Sequence, residues 1–96
     1  MQILKFDEKN NAYFQKNETE QVRIMKLDKV ALLDMLGNIF DNKEYYSFEN
    51  EDNLLNEIKN PVEKEIAKQI ISKLKEFKNQ VDSMKAEIES KYPLDL

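Results

Sequence analysis

From Asn60 to Pro93 the sequence reads NPVEKEIAKQIISKLKEFKNQVDSMKAEIESKYP, with no glycine or proline between Pro61 and Pro93. Asn60 suits the N-cap of a helix, and Pro61 suits its first position, where the missing N–H has no intrahelical partner to lose. Glu63 completes an N-x-x-E arrangement that resembles a capping box. At the other end Pro93 biases Tyr92 away from the helical region. The pattern predicts one helix over 61–92. Those residues would span roughly 48 Å at 1.5 Å per residue. A compact chain of 96 residues has a radius of gyration of about 12.5 Å, or a diameter of about 32 Å. The helix is expected to overhang its own domain, so its apolar stripe needs cover.

The stripe changes along its length. Val62, Ile66, Ala67, Ile70, Ile71 and Leu74 are broad enough to sit on a sheet and a neighbouring helix. Phe77, Val81, Met84 and Ile88 then narrow to a seam. Together Ala67, Ile70, Leu74, Phe77, Val81, Met84 and Ile88 fit heptad positions a and d. Phe77, Val81, Met84 and Ile88 are therefore candidate contact residues for a second helix. The competing expectation is that the tail covers its own domain, or bends near residues 80–83. If the partner is a second copy, a parallel pair is disfavoured, because Lys73 would face Lys78 of the partner in a g-to-e contact.

The N-terminal part has strand periodicity. QILKF alternates, DEKNN supplies turn residues, AYFQK is short and aromatic, NETE breaks again, and QVRIMKL sets Val22 and Ile24 opposite Arg23 and Met25. Residues 1–27 are predicted to form a three-stranded antiparallel meander, which needs a helix against its apolar face. Asp28 reads as the cap of a helix over 28–40. In that helix Val30, Leu32, Leu33, Met35, Leu36, Ile39 and Phe40 cover most of the circumference, the mark of burial on more than one side. Gly37, the single glycine, marks either a close approach of another backbone or a tolerated small residue, the first being slightly favoured. Residues 41–51 read as an acidic aromatic loop or edge strand, and residues 52–59 as a short helix capped by Asp52. The expected fold is a single α+β domain, in which the meander packs against a short buried helix and the long C-terminal helix.

The formal net charge of -4 is unevenly distributed. Residues 41–58 hold six acidic side chains and one basic, Lys43, whereas the flanking segments are balanced or slightly basic. Within that segment Tyr45, Tyr46 and Phe48 stand among Glu49, Glu51 and Asp52. Such a set could contact a basic protein, with tyrosines as anchors and charge to speed encounter. Alternatively the aromatics complete the core and the acids stay wet, the commoner outcome for aromatics at period two.

Several chemistries have no support. The chain has no histidine and no cysteine, which removes the commonest general base, the commonest zinc ligands, thiol nucleophiles and disulfides. One glycine cannot build a phosphate-binding loop. Residues 41–52 match an EF-hand loop in length, but Tyr46 stands where the sharp turn requires glycine. A non-enzymatic protein without cofactor or metal is expected. Fourteen lysines and a single arginine, Arg23, in an acidic chain disfavour nucleic-acid recognition. No apolar run approaches membrane-spanning length, and no signal-peptide pattern opens the chain, so a cytoplasmic location without membrane contact is expected.

The segments MQILKFDEKNNAYF, MKLDKVALLDML and EYYSFENEDNLLNEIKNPVEKEIAKQIISKLKEF, in that order, resemble a loose group of short, uncharacterised proteins carried by phages and conjugative elements of low-GC Gram-positive bacteria. The resemblance covers residues 1–78 and carries no site residues. It implies a small accessory protein that binds and modulates a host protein, in the manner of anti-CRISPR or other anti-defence inhibitors. A structural, self-assembling protein joined through its long helix is the alternative.

Overall fold

A computed structural model describes residues 1–92. The fold is α+β, with strands β1 (Leu4–Phe6), β2 (Ala12–Gln15) and β3 (Gln21–Arg23), then a 3-10 turn (Ile24–Lys26). Helices α1 (Lys29–Asp41), α2 (Glu51–Asn56) and α3 (Pro61–Lys91) follow. The strands form one antiparallel sheet in sequential order. Its register aligns Leu4, Phe14 and Val22 in one row and Lys5, Tyr13 and Arg23 in the next. Successive side chains alternate between faces, so the first row enters the core and the second stays outside.

Both hairpin turns are closed by short polar side chains. The Asp7 carboxylate accepts from the backbone N–H groups of Lys9 and Asn11 at 2.8 and 2.9 Å, while Asn10 takes a left-handed conformation at φ 64°. Bonds to Asn11 hold the Asp7 carboxyl below its ordinary pKa. In the second turn the Asn17 side chain accepts from the N–H groups of Thr19 and Glu20. The predicted third strand is shorter than its pattern. Ile24 leaves the sheet, and the 3-10 turn buries it while Met25 faces solvent.

Asp28 caps α1 by accepting from Ala31 N–H at 2.8 Å. Gly37 has no atom within 4 Å of where a Cβ would stand, so the expected close approach is absent and the glycine simply weakens the helix. The chain from Asn42 to Asn50 is a loop and adds no strand to the sheet; it touches the N-terminal segment through a parallel bridge between Gln2 and Ser47. The short helix begins at Glu51, two residues earlier than a cap at Asp52 predicts. Asn50, at φ 62°, precedes it without a side-chain cap.

Asn60 accepts from Val62 and Glu63 N–H at 2.9 and 3.3 Å, with Pro61 in the first turn. From there α3 continues unbroken for 31 residues, so the bend near residues 80–83 does not occur. The molecule measures 53 × 23 × 20 Å with a radius of gyration of 15.1 Å, more elongated than a compact chain of its length. Its core joins Leu4 and Phe14 of the sheet, Met35 and Ile39 of α1, and Leu55 of α2 to Ala67, Ile71, Leu74 and Val81 of α3. Each large side chain buried there contributes roughly 1.5–3 kcal/mol relative to exposure.

Candidate functional site

The acidic aromatic segment is mostly a clasp. Tyr46 is 1% exposed, and its hydroxyl donates to the Lys16 carbonyl at 2.6 Å. Burial pushes its phenol up to about 12, away from any acid–base role near neutrality. It therefore belongs to the core and is not a contact residue. Tyr45 stacks edge-on against Tyr46 with ring centroids 4.9 Å apart. Phe48 is half-buried beneath the Lys78 ammonium, 5.7 Å from the ring centroid. Glu51 is largely buried and is ion-paired with Lys75, and its Oε2 has no hydrogen-bond partner. Of the acids named from sequence, Glu49 and Asp52 remain exposed, as does Glu44 beside them.

The same loop and the end of α1 also cover the second half of α3. Lys43 donates to Asp82 at 2.7 Å, a bond that holds the lysine above and the carboxyl below their ordinary values. Glu44 pairs with Lys78 at 3.6 Å, and the Lys85 ammonium lies 5.1 Å from the Phe40 ring centroid. Val81 is consequently 1% exposed, and Phe77 and Met84 are half-buried against the chain's own core. The predicted seam is thus a self-contact as far as Met84. Among the described residues, Ile88, half exposed, and Tyr92, 71% exposed, lie beyond this cover.

Another surface is absent from the sequence expectations. Met25, Val30 and Leu33 are 56, 65 and 55% exposed. Val30, Leu33 and Gly37 share one helical face, at spacings of three and four residues. Burial on several sides is what the α1 pattern predicts, yet this side has no cover. Ala31, Met35 and Ile39 enter the core, and Leu32, Leu36 and Phe40 form a half-buried flank. Those two stripes already account for the sheet and α3, the elements available to cover the helix. A third apolar stripe on a helix with two neighbours is the sequence signal that would have found this face. Lys26 and Lys29 border it, and neither forms an ion pair among the described residues.

Among the described residues no group of three or more acidic side chains is placed to hold a metal ion. Open hollows lie at the first hairpin turn, lined by Phe6, Asp7 and Lys9, with a volume of about 550 Å³, and between α2 and α3, lined by Glu51, Leu55, Ile71 and Lys75, with about 230 Å³. Among the described residues no helix is long and apolar enough to cross a membrane. Comparison of the chain with protein-family models, curated proteins and solved structures found no match.

Proposed function

We propose that this chain is a small cytoplasmic protein-binding module that acts by occupying a surface of another protein, without catalysis. The observation that carries this is the uncovered face of α1. There Met25, Val30 and Leu33 stay in water although the core elsewhere is closed by Tyr46, Phe14 and Leu74. Such a face adds nothing to the chain's own stability, whereas exposed apolar surface is what a partner can bury. The exposed carboxylates Glu44, Glu49 and Asp52 supply an acidic rim that would speed encounter with a basic partner. With the resemblance to phage and conjugative-element proteins, the reading becomes an accessory protein that inhibits or modulates a host protein, of anti-CRISPR-like or other anti-defence type.

The test is affinity capture from a matching host lysate with the wild-type chain, a Leu33→Glu variant, and a variant carrying Glu44→Lys, Glu49→Lys and Asp52→Lys. A partner recovered by the wild type and lost with Leu33→Glu supports the proposal. Equal recovery by all three, or no protein above background, removes it.

A further inference from the structure

We infer that Met25 is an oxidation site of the folded chain, where a peroxide converts the thioether to a sulfoxide and so weakens the contact surface to which Met25 belongs. The site follows from the placement of the sulfurs alone, whereas its effect on a partner rests on the reading of that side as a contact surface.

Sulfur is the first target of a peroxide, and the chain has no cysteine to compete for it. Its four methionines differ in cover. Met35 is 0% exposed, and Met1 and Met84 are half-buried against the core. Met25 is 56% exposed. The backbone holds it there. Leu27 N–H donates to the Ile24 carbonyl at 3.3 Å and closes the 3-10 turn, Ile24 is buried, and the turn packs on β2 and α3. With Ile24 turned inward, the next side chain points into solvent.

The step needs a peroxide and no other reagent. The sulfur lone pair takes one peroxide oxygen, the O–O bond breaks, and the other oxygen leaves as hydroxide and takes the proton of the transferred one, forming water. Sulfur is oxidised and the peroxide is reduced. The product carries a polar S=O group in place of an apolar thioether. At Met25 water solvates that group, so the fold is kept. Met35 is out of reach until the chain opens, and a sulfoxide there would stand in the core without a partner. The proposed contact surface includes Met25 with Val30 and Leu33, so oxidation places on it a hydrated group that a partner would have to strip. A methionine sulfoxide reductase reverses the step with a dithiol, which closes to a disulfide as the oxygen leaves as water.

Hydrogen peroxide at neutral pH, read by intact mass and peptide mapping, tests this on the full chain. The folded protein should first gain one oxygen atom, at Met25, with its far-UV circular dichroism unchanged. Met1 and Met84 should lag by about threefold or more, and Met35 by about a hundredfold or more. In concentrated urea all four methionines should react at similar rates. Met25→Leu should slow the first uptake to the rate of Met1 and Met84. A folded chain in which Met1, Met35 or Met84 reacts as fast as Met25 overturns the site. Affinity capture reads the consequence. Oxidised wild type should bind its partner about tenfold more weakly, Met25→Leu given the same peroxide should bind as before, and reductase with dithiothreitol should restore the wild type. Equal loss from both proteins, or no loss from the oxidised wild type, overturns the effect on binding. Selective oxidation of Met25 in a chain that captures nothing in either state overturns only the proposed function.

Discussion

The Tyr46 hydroxyl donates a 2.6 Å hydrogen bond to the backbone carbonyl of Lys16, 30 positions earlier in the chain. Asn38 donates its side-chain amide to the same oxygen at 3.1 Å, so one carbonyl at the end of β2 gathers α1 and the loop that follows it. Tyr46→Phe should keep the ring in the core and lose one bond. The expected loss is about 1 kcal/mol, a fall of roughly 4–8 °C in Tm for a domain of this size. Tyr46→Ala should cost about 3–5 kcal/mol, through the cavity it leaves. Urea unfolding of the two variants beside the wild type checks both, and a Tyr46→Ala loss no larger than that of Tyr46→Phe would contradict the clasp.

The same phenol predicts an alkaline limit. Burial raises its pKa from 10.0 to about 12, and the neutral form is the one the fold holds. Its contribution to stability is intact below pH 10 and is lost as pH rises through 12. A spectrophotometric titration of folded protein should show a phenol that ionises near pH 12. In Tyr46→Phe that late step should vanish, and the alkaline decline in stability should become shallower.

The outline of the fold is legible in the sequence because local rules carry it. Asp28 and Asn60 each mark a helix start with a side chain that reaches its own backbone, and Leu4, Phe14 and Val22 alternate with polar residues as a one-sided sheet requires. What lies outside local rules is the choice of neighbour. Nothing in the spacing of Phe77, Val81 and Met84 distinguishes a seam for a foreign helix from one covered by Phe40, Lys43 and Glu44 of the same chain. Tyr46 and Glu49 share an acidic segment with opposite fates for the same reason, since only tertiary packing decides which side chain turns inward. The side of α1 at Val30 and Leu33 reads as core in the sequence because apolar content reports what a residue prefers, and not whether a neighbour is at hand.

Gly37 offers a stabilising substitution. It sits in a helix interior with nothing within 4 Å of the place a β-carbon would take, and its φ is not positive. Gly37→Ala should therefore raise stability by about 0.4–1 kcal/mol, by restricting the unfolded chain and improving helix propensity. Thermal unfolding reads the gain directly, and a fall in Tm would mean that neighbouring atoms crowd the site after all.

The start of α3 depends on one side chain. Asn60 satisfies the N–H groups of Val62 and Glu63, which would otherwise be orphans of the first turn. Asn60→Ala should cost about 0.5–2 kcal/mol, whereas Asn60→Asp or Asn60→Ser should retain most of the stability. Glu63→Gln should move it little, because the cap bonds run from the backbone to Asn60. Chemical denaturation of the four variants ranks them, and an Asn60→Ala loss no greater than that of Glu63→Gln would show the cap to be idle.

Val81 and Ile88 separate the covered part of α3 from the bare part. Val81 is buried against the core, and Ile88, two turns on, is half exposed. Val81→Ala removes two buried methyl groups, worth about 1.6 kcal/mol at about 0.8 each before any cavity penalty. Ile88→Ala should stay within about 0.5 kcal/mol of the wild type when measured on dilute, monomeric protein. Urea midpoints at low concentration provide the comparison. If Ile88→Ala cost as much as Val81→Ala under those conditions, the end of the helix would be folded onto its own domain.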